Sequence, residues 1–113
     1  MTYDEISKML FHFGFTEGFS NIRTKKTKDY ELVASFPNYA LDNIFTIYIS
    51  AMLNNTSQSL ASFIVEATDY GTLEHKLETL LNKLKPLLTK FSEDLASLKE
   101  EMQKQNIVKN IVR

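Results

Sequence analysis

An uninterrupted apolar repeat in the C-terminal third constrains this chain more than any other feature. Beginning at Leu77, every position reached by alternating steps of four and three residues is apolar: Leu77, Leu81, Leu84, Leu88, Phe91, Leu95, Leu98 and Met102. This spacing places the side chains on one stripe of an α-helix and is typical of a coiled-coil seam. Further leucines widen the stripe before Phe91, as expected of a helix lying on a sheet, and beyond Phe91 only the seam remains. The pattern predicts a long amphipathic helix whose two halves contact different surfaces.

The length of this helix raises a packing problem, which Pro86 can resolve in two ways. A single helix from Leu73 to Gln105 would extend about 50 Å, whereas a domain of this size has a radius of gyration of about 13 Å. The helix either continues through Pro86 with a kink and projects from the domain, or breaks there and folds back as a hairpin. We therefore predict a core domain at residues 1–88 and a C-terminal helical extension at 89–113 that serves as an oligomerisation segment.

The N-terminal residues predict a short helix with a recognisable signal at each end. Thr2 and Glu5 form the T-x-x-E pattern of a capping box, in which each side chain accepts a hydrogen bond from the other residue's backbone N–H. Gly14 followed by Phe15 suits a left-handed C-terminal cap in which Phe15 folds back toward Leu10. The helix should therefore end near Phe13.

The middle of the chain changes from helical to alternating periodicity. Residues 30–36, 44–52 and 60–68 alternate apolar with more polar side chains, as half-buried strands do. Residues 20–28 can add an edge strand. The predicted fold class is α+β: an N-terminal helix, a three- or four-stranded antiparallel meander and a long C-terminal helix with a coiled-coil-like seam.

Composition excludes several classes of function. The chain has no cysteine, which excludes disulfides, thiolate metal sites and cysteine nucleophiles and favours a reducing, cytoplasmic location. No apolar run approaches the roughly 20 residues that span a bilayer, so no membrane association is predicted. His12 and His75 are the only histidines and lack the spacing of a metal-binding motif. We predict no enzymatic activity, no catalytic or metal-binding residues and no cofactor.

Two kinds of partner fit the remaining features. The first is a second copy of the chain, bound through an interface of Phe91, Leu95, Leu98 and Met102, together with another protein. This predicts a non-enzymatic interaction module, such as a regulator, inhibitor or assembly chaperone of the kind that phages and mobile elements encode. The alternative is a nucleic-acid-binding module that uses the only dense basic cluster, Arg23, Lys25, Lys26 and Lys28, although lysines also protect edge strands from unwanted pairing.

The last residues carry a separate apolar signal. In a helix that continued to the C terminus, Ile107, Val108, Ile111 and Val112 would lie opposite Leu98 and Met102. Either the helix ends near residues 105–106, or this tail contacts something other than the partner of the seam.

Overall fold

The computed structural model describes residues 2–37, 42–54 and 59–112, and from residue 105 onward only the backbone. The element order is α1 (Tyr3–His12), β1 (Ile22–Lys26), β2 (Tyr30–Ser35), β3 (Phe45–Leu53), β4 (Ala61–Ala67) and α2 (Tyr70–Val112). This confirms the predicted α+β fold, and of the three or four strands predicted the described residues form four.

Helix α1 begins and ends with the predicted caps. The Thr2 hydroxyl accepts a hydrogen bond from the Glu5 N–H at 3.3 Å, and the Glu5 carboxylate accepts one from the Thr2 N–H at 3.1 Å. Gly14 has a φ of 96°, and the Phe15 N–H donates to the Leu10 carbonyl oxygen at 2.9 Å. Glycine suits this turn because a positive φ strains residues that carry a Cβ.

The four strands form an antiparallel sheet in the order β1-β2-β3-β4, so β1 and β4 are its edges. Successive side chains point to opposite faces, and one face is buried. Its buried side chains include Leu32, Ala34, Ile47, Ile49, Ala51 and Val65. Both helices lie on this face, and they complete the core with Ile6, Met9, Leu10, Leu73 and Leu77. The opposite face carries no helix in the described part of the chain.

Helix α2 begins directly after β4 and runs back across β4, β3 and β2. Before its first turn, the Asp69 carboxylate accepts hydrogen bonds from the Thr72 N–H at 2.9 Å and the Thr72 hydroxyl at 2.7 Å. These two bonds lower the pKa of Asp69 below its usual value of 3.8, and the bond from the Thr72 N–H has the larger effect. A carboxylate here also interacts favourably with the helix dipole.

The helix is continuous through Pro86, so the hairpin arrangement is wrong. Pro86 is exposed, which places its ring away from the sheet, where the lost backbone hydrogen bond faces water. The backbone remains helical to Val112, past residues 105–106. The side chains of the apolar tail lie outside the described part. The molecule is 64 Å long and 23 Å across, because α2 extends well beyond the sheet. In the described residues, no helix is long and apolar enough to cross a membrane.

Candidate interaction surfaces

The apolar seam of α2 is buried along the sheet and emerges into solvent at Phe91. Leu77 is fully buried and Leu88 is only 7% exposed, whereas the exposed fraction is 48% for Phe91 and 52% for both Leu98 and Met102. The four-three spacing does not change across this boundary. The same stripe of one helix therefore serves first as domain core and then as surface.

The change occurs where the sheet ends. Leu53, the last residue of β3, and Asn54 line a small cavity with Ser92, Leu95 and Lys99 of α2. Leu95 is half-buried and packs against the core, as the last seam residue that the domain reaches. Of the four residues predicted for a dimer interface, three are thus largely exposed and one is partly covered by its own domain.

The predicted basic cluster is divided between the two faces of β1. In the register, Arg23 lies opposite Ala34 and Lys25 opposite Leu32, so both share the covered face, whereas Lys26 lies opposite Glu31 on the open face. Arg23 donates hydrogen bonds to the carbonyl oxygen of Ser20 at 2.8 Å and to the hydroxyl of Ser7 in α1 at 3.0 Å. Arg23 therefore joins β1 to α1.

Lysine side chains of this cluster also have partners within the chain. The Lys25 ammonium donates to the Phe13 carbonyl oxygen at 3.1 Å, and its side chain covers Gly14. A cation at this position complements the C-terminal end of the α1 dipole. Lys26 lies 3.8 Å from the Glu31 carboxylate, while the Lys28 side chain is exposed. The structure does not bring the four residues together as one basic surface.

The two histidines lie in different parts of the molecule. The His12 ring packs edge-on against Phe13, with 5.6 Å between the ring centroids. His75 is exposed on α2. Within residues 2–37, 42–54 and 59–112, no three histidine or carboxylate side chains are grouped as metal ligands would be.

A groove between β4 and α2 was not predicted from the sequence. It has a volume of about 930 Å³, and the half-buried side chains of Phe63 and Leu80 form its apolar floor. Exposed lysines, Lys76 and Lys83, line its outer rim. Two features of the sequence could have indicated this groove. Leu80 adds an apolar residue beside the seam, and the seven-residue spacing of Lys76, Lys83 and Lys90 places these lysines on one side of the helix.

A second exposed apolar surface lies on the uncovered face of the sheet. Tyr48 and Ile64 are cross-strand neighbours there, and Ile44, the residue before β3, lies close by. The exposed fraction of Ile64 is 64%. Single exposed apolar side chains are ordinary, but this group adjoins the β4 edge of the groove.

Comparison with protein-family models, with curated proteins and with solved structures gives no match for this chain.

Proposed function

We propose that this protein is a non-enzymatic interaction module, a regulator, inhibitor or assembly chaperone, that acts as a homodimer through the projecting half of α2. One observation carries the proposal: the seam continues in phase from buried Leu88 to the exposed side chains of Phe91, Leu98 and Met102. Two such helices can interlock, because residues at four-three spacing insert into the holes of an identical partner helix.

The free energy available from this contact is modest. Fully burying a large apolar side chain yields about 1.5–3 kcal/mol, so each of these half-exposed side chains can contribute about 1 kcal/mol. Part of that sum is lost to the entropy of association. The six half-exposed side chains of the two copies therefore give about 6 kcal/mol of binding free energy at most, and we expect a dissociation constant between tens of micromolar and about 1 mM.

The charges beside the seam favour a parallel arrangement of the two helices. In a parallel pair, Asp94 of one copy faces Lys99 of the other, whereas an antiparallel pair brings Asp94 and Glu101 among like charges. All three side chains are exposed. Such surface pairs direct orientation more than they add affinity, since each contributes only about 0.2–1 kcal/mol.

Sedimentation analysis of Leu98→Glu tests the dimer. The wild-type chain should pass from monomer to dimer between about 5 µM and about 1 mM, which brackets the expected constant. Leu98→Glu should remain monomeric and folded, because Leu98 is exposed in the single chain. Ser97→Glu is the matched control, since it adds the same charge to a neighbouring exposed position outside the seam. A wild-type chain that is monomeric throughout, or a Leu98→Glu chain that still dimerises, would refute the proposal.

Cross-linking tests the orientation, because the natural chain has no cysteine. In a parallel dimer each seam residue meets its own counterpart, so Phe91→Cys and Met102→Cys should each form a disulfide-linked dimer on mild oxidation. In an antiparallel dimer neither end of the seam meets itself. Cross-linking only when the two variants are mixed would contradict the parallel arrangement.

A further inference from the structure

We infer that the groove between β4 and α2 binds an extended peptide segment of a partner protein, which pairs with β4 as a fifth strand and carries acidic and apolar side chains. This goes beyond dimerisation and does not depend on it, because the groove ends at Lys83, before the first exposed seam residue, Phe91.

The backbone of β4 presents hydrogen-bonding groups at the sheet edge. At the other edge, the Thr24 N–H donates to the Glu17 carbonyl oxygen, and the Glu17 N–H donates to the Thr24 carbonyl oxygen. The backbone N–H and C=O groups of Thr24 therefore point outward from β1, away from β2. N–H and C=O groups point alternately to the two sides of a strand. Thr24 pairs with Val33, Val33 with Ser50, and Ser50 with Ser62. Because the N–H and C=O groups of Thr24 point outward from β1, those of Val33 and Ser50 point toward each other. Those of Ser62 therefore point outward from β4. Because this direction repeats every two residues, the backbone N–H and C=O groups of Ile64 and Glu66 also point outward.

The two edges of the sheet are protected to different degrees. The β1 edge is paired at Thr24 by the isolated bridge to Glu17. At the β4 edge, the Lys76 ammonium donates to the Glu66 carbonyl oxygen at 2.9 Å, a contact that also confirms the outward direction of this carbonyl. Unpaired edge groups are a template for another strand, and peptide recognition by strand addition uses them in this way. Ser62 and Ile64 are where such a strand would pair.

The side chains around the groove define the chemistry of the peptide. Phe63 and Leu80 supply an apolar floor, and Lys76 and Lys83 supply positive charge at its rim. Glu66 is the acidic residue of the lining, and its side chain shares the open face with cross-strand Thr46 rather than the helix side. The charge on the helix side is therefore positive and complements an acidic segment.

The spacing of these groups predicts a sequence pattern. Lys76 and Lys83 are separated by a rise of about 10 Å along the helix, with Leu80 between them. In an added strand, residues that face the helix recur at every second position, about 7 Å apart. Two acidic residues four positions apart in such a strand are about 14 Å apart, and the long lysine side chains can span the difference of about 4 Å. An acidic residue, an apolar residue and a second acidic residue at alternate positions would then meet Lys76, Leu80 and Lys83 in turn.

Selection from a display library of random peptides, about nine residues long to exceed a typical strand, tests the inference on the full chain. Selected peptides should carry the acidic–x–apolar–x–acidic pattern, and their affinities are then measured by fluorescence polarisation. Failure to enrich any peptide, or enrichment of basic sequences, would overturn the inference. So would peptides whose binding is abolished by Leu98→Glu, because that result would place them on the seam.

Two pairs of variants locate the peptide. Ile64→Pro removes an outward N–H while the exposed side chain leaves the core unchanged, and Ile64→Thr keeps that N–H. Ile64→Pro should weaken peptide binding at least about tenfold, because the hydrogen bond from the Ile64 N–H to the peptide is lost. Ile64→Thr should change the affinity little. Thermal unfolding establishes that both chains are folded. If Ile64→Pro does not fold, the charge variants decide alone.

The charge variants test the rim. Lys76→Glu combined with Lys83→Glu should weaken binding of the acidic peptide by at least about tenfold, because two attractive contacts become repulsive. Lys85→Glu combined with Lys90→Glu is the matched control, since it makes the same change in net charge on α2 at two residues outside the lining of the groove. Equal affinities for the two charge variants would overturn the groove assignment, whatever the outcome of the dimer experiment.

Discussion

The two halves of α2 share one helix and one apolar repeat, yet they differ in what covers that repeat. From Leu73 to Leu88 the stripe lies against the sheet, whereas Phe91, Leu98 and Met102 are about half exposed and only Leu95 still contacts the domain, near Leu53 at the end of β3. Helical periodicity decides which side chains share a face, whereas the length of the sheet decides how many of them are buried. A seam that is longer than its own domain therefore leaves apolar side chains exposed, and this exposure is the basis of the proposed dimer.

The largest expected difference between the halves comes from placing one charge at equivalent seam positions. Leu84→Asp should unfold the domain, at a cost above about 4 kcal/mol, because an unpaired carboxylate would occupy a buried site. Leu98→Asp should leave the chain folded. Circular dichroism during heating measures both, and similar melting temperatures for the two variants would refute the contrast.

Truncation of seam side chains gives a graded version of the same comparison. Leu77→Ala should lower the free energy of unfolding by about 2–5 kcal/mol, because it leaves a cavity in a fully buried region. Met102→Ala should change it by no more than about 0.5 kcal/mol in dilute solution, where the chain is monomeric. Urea denaturation at low protein concentration compares them. A large effect of Met102→Ala under those conditions would mean that its own domain covers it.

Pro86 lies between the halves and tests whether their junction is strained. Pro86→Ala should raise the free energy of unfolding by about 1–3 kcal/mol, since alanine restores a backbone hydrogen bond and suits a helix interior. The exposed position of Pro86 means that no packing is lost. The urea midpoint should rise without a change in slope. A destabilised Pro86→Ala chain would show that the junction needs the geometry of proline.

The smallest expected effect concerns Asp69, which accepts hydrogen bonds at the N-terminal end of α2 and so stabilises only the half of the helix that lies on the sheet. Asp69→Ala should lower the melting temperature at neutral pH, because Thr72 loses its hydrogen-bond acceptor, and should leave dimerisation unchanged. The folded-state pKa of Asp69 is depressed, so its stabilisation is present above the unfolded value of 3.8 and is lost as the pH falls through the folded value.

A series of melting curves from neutral pH into acid tests this linkage. The difference between wild type and Asp69→Ala should shrink as the Asp69 carboxylate becomes protonated. A difference that stays constant to the lowest pH would show that the carboxylate charge is not involved.

Local sequence signals were sufficient for most of the architecture. The caps of α1 follow from hydrogen bonds between residues close in sequence. The alternation of β2, β3 and β4 and the phase of the seam are periodic patterns within single segments, which can be read along the chain. The bounds of α1 and of the four strands agree with the predicted ones to within a few residues, whereas the helical backbone of α2 continues to Val112, well past residues 105–106.

The sequence by itself thus determined the α+β class, the caps and the long amphipathic helix, whereas only the tertiary structure decided the roles of individual surface residues. Arg23 and Lys25 turn toward α1 because the register with β2 places them on the covered face, and β1 has no apolar alternation to indicate this. The groove beside β4 joins residues 62–66 to residues 75–83 across a sheet edge, and the continuity of α2 through Pro86 leaves its distal half uncovered. These outcomes depend on which elements become neighbours, and that is settled by packing the whole core rather than by any local pattern.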